Sequence, residues 1–239
     1  MNRNQKPIPH TLPMADLRRW LGANDRASLL DYARHHKRTL SYLTALTYDP
    51  DALIAWRALD AIGRVAEQAA AGGDLEWVRN HLRRCQWLLS DESGGIGWRA
   101  PEMMGEIVRR LPEALVEFIP LVALLLFDME DEDALRFKNG HLWAVGRIAQ
   151  VRPHQAEAGQ PWALLALEDA DPQTRGLGLW CLAQFPAELR PEELQSCLPG
   201  LLKDQGQVQI FDGENLVETS VSALAEELNA PPKIKATDR

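Results

Sequence analysis

One phrase recurs along this chain, and it constrains the possible folds more than any other feature. The segment Trp56 to Ala66 (WRALDAIGRVA) returns as Trp98 to Val108 (WRAPEMMGEIV) and, more loosely, as Asn139 to Ala149 (NGHLWAVGRIA). The aligned glycines Gly63, Gly105 and Gly146 stand 42 and then 41 residues apart. A fainter copy, Thr174 to Ala183, follows about 35 residues later. A period of this size marks stacked helical pairs, because one pair cannot bury its apolar face alone and neighbours must complete the core. The expected fold is all-α: an α-α superhelix of about five helical pairs.

The elements follow from apolar spacing and from punctuation by Pro, Gly and Asp. Met1 to Pro13 carries Pro7, Pro9 and Pro13 and is expected to be an extended or disordered lead-in. A helix runs from there to Leu21 and Gly22, and Asp25 caps a second. Leu40 to Leu46 and Ala52 to Ala71 form a first repeat, closed by Gly72-Gly73. The later pairs are Leu75 to Leu89 with the second copy of the phrase, and Glu113 to Phe127 with Ala134 to Val151. Gln155 to Glu168 then pairs with Pro172 to Phe185, and a fifth pair begins at Pro191 to Leu202. Val208 to Phe211 and Leu216 to Thr219 break the helical period around Asp212-Gly213-Glu214-Asn215 and predict a short β-hairpin near the C-terminus. With Ser220 to Leu228 it is expected to cap the last repeat. Residues 14–229 thus read as a single repeat domain, followed by a disordered tail, 230–239.

Each copy of the phrase places a glycine inside a helix, where it costs roughly 1 kcal/mol relative to alanine. Its return at one register implies that neighbouring helices approach too closely there for a side chain. An acidic turn precedes an arginine early in each second helix: Asp49 with Arg57, Asp91 with Arg99, and Asp169 or Asp171 with Arg175. This pattern resembles HEAT repeats, and in particular the short HEAT-like repeats of bilin-lyase-type proteins. The resemblance covers about Thr39 to Leu228 and extends to uncharacterised bacterial HEAT-like proteins. It implies a HEAT/armadillo-like solenoid in which such Asp and Arg residues pair. The third copy has Gly140 at the arginine register with Lys138 the nearest base, so the ladder is expected to be interrupted there.

A net charge of −8 argues against a general nucleic-acid binder, which needs Lys and Arg to displace counterions from phosphate. Cys85, Cys181 and Cys197 have no metal-ligand spacing and read as small core residues of a protein in a reducing, cytoplasmic compartment. The apolar run Leu121 to Phe127 is far short of the ~20 residues that span a bilayer, so no membrane insertion is expected. The five acids among Asp128 to Asp133 read as a solvated helix start, and Arg34 to Arg38 as a charged helix end. No nucleophile–base arrangement, metal motif or cofactor motif is visible.

The candidate binding residues fall in two groups. Gly94, Gly95, Trp98 and Arg99 form a glycine-rich approach to a helix that could present amides to a ligand, or serve only as a tight connection. Arg57, Asp60, Arg64, Glu102, Glu106 and Arg147, with Arg99 again, should align as a ridge along the second helices, where Trp143 either packs between repeats or lines the concave face. Their mixed charge suits a polar protein interface, with Trp and Arg as anchors. The leading functional expectation is a non-catalytic scaffold holding a protein or peptide on its concave face. The alternatives suggested by the repeat type are a HEAT-like DNA glycosylase and a tetrapyrrole lyase or chaperone.

Overall fold

The computed structural model describes residues 13–89, 97, 99–127, 129 and 131–230. The lead-in, the loop carrying Asp91, Gly94, Gly95 and Trp98, the start of the acidic run and the tail lie outside the described residues. Two helices open the chain, α1 (Pro13–Gly22) and α2 (Arg26–His35), the second capped by the Asp25 carboxylate on the Ser28 amide. The repeats then alternate first and second helices: α3 (Thr39–Leu46) with α4 (Ala52–Ala71), and α5 (Leu75–Leu89) with α6 (Ala100–Arg110). Next come α7 (Ile119–Ala123) with α8 (Asp131–Ala149), and, after the short α9 (Pro153–Ala156), α10 (Gln160–Ala166) with α11 (Pro172–Ala183). The last pair is α12 (Leu194–Leu201) and α13 (Val221–Asn229), separated by strands β1 (Gln207–Phe211) and β2 (Leu216–Ser220).

The second helices α4, α6, α8 and α11 pack on one another in succession, and each first helix leans on its own partner. One apolar cluster runs unbroken from Leu17 through Ile62, Ile107 and Leu182 to Leu228. The chain is an α-α superhelix of the HEAT/armadillo kind. Two first helices are shorter than their apolar spacing implies. Val116–Phe118 and Glu157–Gly159 are 3-10 turns, and α-helix resumes only at Ile119 and Gln160. Pro120 and Pro161 stand in the first turns of these helices, where a missing amide donor is tolerated; neither can bond the carbonyl four residues back, so the α-helical ladder does not extend through them.

The repeated glycines mark where successive second helices touch. A Cβ on Gly63 would stand 2.8 Å from the Glu106 carbonyl oxygen, and one on Gly105 would stand 2.5 Å from Ala144 Cα. On Gly146 it would meet the Trp180 ring at 2.5 Å. The Gly105 obstacle is the backbone of α8, which cannot rotate aside. Gly105→Ala is therefore expected to cost about 1–3 kcal/mol through overpacking. Gly200→Ala, with nothing within 4 Å, should change stability by less than about 1 kcal/mol in either direction. Urea denaturation of the two variants checks the contrast; equal midpoints would contradict the close approach of α6 and α8.

The acidic turns at Asp49 and Asp169 pair their outer carboxylates with cations of earlier helices. Asp49 takes Arg18 of α1 (2.7 Å), and Asp169 takes Lys138 of α8 (2.5 Å). Arg57 does not reach Asp49, and Arg175 reaches the turn only at the carbonyls of Asp169 and Ala170 while pairing with Asp204 (2.7 Å). The reason lies in the turns themselves. Asp49 and Asp169 accept the amides of Asp51 and Asp171, while Asp51 and Asp171 cap α4 and α11. This geometry turns the outer carboxylate toward an earlier helix. Lys138, two residues before Gly140, pairs with Asp169 of the following turn.

Cys85 and Cys181 are buried, but Cys197 is only half-buried, its thiol on the Glu193 carbonyl. The basic helix end behaves as expected: Arg34 pairs with Asp31, and Lys37 with Asp74.

Candidate functional site

Eight of the eleven predicted site residues converge on one face of the second helices. Asp60 on α4 takes Arg64 at 2.6 Å one turn on and Arg110 of α6 at 2.8 Å. Glu106 on α6 takes Arg147 of α8 at 2.7 and 3.1 Å and the Trp143 indole N–H at 3.2 Å. Arg99 donates to Glu102 at 2.7 Å, and its guanidinium lies 4.7 Å from the Trp56 ring centroid. Burial is deep for such groups: Asp60 is 5% exposed, Glu102 3%, Glu106 1% and Arg147 7%. The predicted ridge thus forms an ion-pair seam between repeats, with only Arg57, Arg64 and Arg99 partly open. Gly94, Gly95 and Trp98 lie outside the described residues.

Tryptophans line the same face. Trp143 stacks on Trp180 (4.4 Å, 6°) and meets Trp56 edge-on at 4.6 Å, although α6 separates their helices. Contact across an intervening helix requires α4 and α8 to close toward each other here, so this face is concave.

The hairpin lies across that face. Its register pairs Phe211 with Leu216, and Gly213 at the tip adopts a positive φ of 105°. Phe211 lies nearly parallel to Trp56 at 5.8 Å and also reaches Trp143 at 6.4 Å. At the tip, Arg26 donates to the Gly213 carbonyl (2.6 Å), and Arg57 to the Glu214 carbonyl (2.9 Å) and the Asn215 side chain (3.4 Å). Arg57 also holds the Leu21 and Gly22 carbonyls at the end of α1. Further down, the Gln173 side-chain amide makes both main-chain bonds of Gln209, each 2.8 Å long. At its base the hairpin packs on α11 and α13, so it covers part of the C-terminal end, but it also reaches well beyond it. Helix α13 also packs on α11 there, while the hairpin's far end runs back to Arg26, Trp56 and Arg57. Sequence reasoning missed Arg26, Gln173, Phe211 and Glu214; the break in helical period was the only signal, and it carries no direction.

Burial pushes the Glu102 carboxyl above its usual range, and Arg99 beside it opposes that shift. One carboxylate oxygen of Glu102 has no hydrogen-bond partner among the described residues and lies against Gly140, where a Cβ would come within 2.3 Å of it. That contact explains a glycine at this register. The native state holds the Glu102 proton more tightly than the unfolded chain does, so its contribution to stability falls as pH rises above the ordinary glutamate pKa. Glu102→Gln should remove that part of the pH dependence, as denaturation at a series of pH values would show. Parallel wild-type and variant profiles would contradict the raised pKa. His141 is also buried and is held down to about 3, hence neutral. Among the described residues no three His, Cys, Asp or Glu side chains are placed to hold a metal ion, and no helix is long and apolar enough to cross a membrane. The face offers guanidinium and amide groups for carbonyls and carboxylates, and indole rings for an apolar side chain.

No protein-family model matches the chain. An uncharacterised protein of Archaeoglobus fulgidus is 26% identical over 188 residues, which is 79% of this chain and 94% of that protein. Among solved structures, a designed armadillo repeat protein in complex with peptide (KR)4 is similar with a TM-score of 0.47 and 15% identity, covering 91% of this chain and 98% of that one. An archaeal HEAT-like repeats protein from Thermococcus onnurineus NA1 is similar with a TM-score of 0.34 and 16% identity, over 93% and 100% of the two chains.

Proposed function

We propose that this chain is a protein-interaction scaffold that holds a protein or peptide segment on the concave face of α4, α6, α8 and α11. The observation that carries the reading is that this face already grips an extended strand by its backbone. Gln173 makes both main-chain bonds of Gln209, and Arg57 collects the Glu214 carbonyl together with two carbonyls of α1. Contacts of this kind address any extended chain, while Trp56 offers a ring face to an aromatic side chain. In this reading Arg57, Arg64 and Arg99 face the partner, and Asp60, Glu102, Glu106, Trp143 and Arg147 hold the face in shape. Gly94, Gly95 and Trp98, which lie outside the described residues, belong to the proposed binding set. A cytoplasmic setting belongs to the proposal, supported by the free thiols of Cys85 and Cys181.

Affinity capture from the native host, quantified for the wild type, Arg57→Ala and Gln173→Ala, tests it. Each substitution is expected to weaken capture of the specific partner about tenfold, the equivalent of one to two hydrogen bonds. A partner retained at wild-type levels by both would move the binding site elsewhere.

A further inference from the structure

The hairpin is attached in two ways that differ in strength. At its base it is continuous with the last repeat: Val221 donates to the Gly206 carbonyl and Ser222 to that of Asp204, and Val208 fills the space left by Gly176. At its far end only side chains hold it, through the Phe211–Trp56 stack and the reach of Arg26 and Arg57 to Gly213, Glu214 and Asn215. A two-stranded ribbon has little stability of its own, so the face beneath it supplies most of the order of β1 and β2. Releasing the tip would lift Phe211, which is 3% exposed, off Trp56 and Trp143 and break a few polar contacts, and would leave the ion pairs between the repeats in place.

The chemistry under the tip is specific. Arg57 meets no carboxylate among the described residues; its acceptors are carbonyls and the Asn215 amide. Arg26 has the Glu214 carboxylate at 3.5 Å and Asp60 at 3.8 Å, and Asp60 is already engaged by Arg64 and Arg110. This end of the face therefore carries locally unneutralised guanidinium charge on a chain whose net charge is −8. A ring and an acid three residues apart, Phe211 and Glu214, match it. We propose that the hairpin is a displaceable strap standing where the partner docks. The partner is an extended segment with an aromatic residue followed three positions later by an acidic one. The proposal rests on the scaffold reading above and adds to it the partner's chemistry and a competition within the chain.

The test uses the full-length protein and a fluorescent peptide with the sequence of residues 207–220. Two variants loosen the strap independently: Phe211→Ala removes the ring, and Glu214→Lys, at an exposed position, sets a cation against Arg26 without touching the core. Both are expected to speed amide hydrogen exchange in β1 and to bind the peptide about tenfold more tightly than the wild type, because more molecules present an open face. Adding Arg57→Ala to either variant, or replacing the peptide's Phe and the Glu three positions after it by Ala, should abolish that gain. Unchanged exchange in a folded Glu214→Lys protein would overturn the strap. Faster exchange without peptide binding, or equal binding of a peptide with Lys in place of Glu, would overturn the assigned partner chemistry. A host partner captured equally by the wild type and both loosened variants would leave the scaffold standing and remove the competition.

Discussion

Glu106→Ala is expected to lower the free energy of unfolding by about 3–5 kcal/mol, the range for breaking one side of a buried ion pair. Glu106 is 1% exposed and receives two N–H groups of Arg147 and the indole N–H of Trp143. Alanine would strand the Arg147 guanidinium, itself 7% exposed, with only Gln150 as a polar neighbour. It would also leave the Trp143 N–H without an acceptor, a further desolvation cost. Glu106→Gln should lose less, since its amide oxygen can still accept one bond. Replacing Glu106 and Arg147 together by Leu and Met should recover much of the loss, because a well-packed apolar pair avoids desolvating two charges. Chemical denaturation at neutral pH measures all of these. A loss below about 1 kcal/mol for Glu106→Ala would mean that the seam is solvated and not buried.

Trp143→Ala should cost a comparable amount, about 3–5 kcal/mol, for loss of a large core ring and the cavity it leaves. The ring is 1% exposed and touches the aromatic groups of Trp56, Trp180 and Phe211, with the Arg147 guanidinium 5.3 Å from its centroid. Its contacts extend beyond one repeat, joining α4, α8, α11 and β1, so the expected defect is spread along the concave face. Two consequences separate it from an ordinary core truncation. The energetic effects of Trp143→Ala and Glu106→Ala should be less than additive, since they share the indole–carboxylate bond, and a double-mutant cycle would read that coupling. Exchange in β1 should also accelerate, because Phe211 loses one of its two aromatic neighbours. Strict additivity together with unchanged β1 exchange would show that the ring is packing only its own helix.

What could be read in advance was the part of the design that each repeat states for itself. Gly63, Gly105 and Gly146 recur because every second helix meets the next at the same height, and a side chain there would strike a neighbour. Asp51 and Asp171 recur because each caps the first amides of its own helix, α4 and α11, and the hairpin turn Asp212 to Asn215 is likewise local. The Asp–Arg rungs were harder. Which cation Asp49 or Asp169 meets depends on the rotation between successive elements, and the turn's own amide bonds set where the free carboxylate oxygen points. The charged and aromatic candidates share one face of the second helices, but their burial was not legible. A charged residue in a helix looks the same whether water or another helix lies opposite.

The sequence by itself determined the all-helical solenoid, its period, the close-approach glycines, the caps and the existence of the hairpin, because these depend on residues within one repeat or on adjacent repeats. Only the tertiary structure decided that the second helices curve until Trp56 and Trp143 touch across α6, and that the hairpin crosses the concave face to Arg26 and Arg57. Curvature accumulates from small rotations at every interface, so no single residue pair encodes it. The contacts between the hairpin tip and these arginines span 157 to 188 positions and exist only once all of those rotations have been summed.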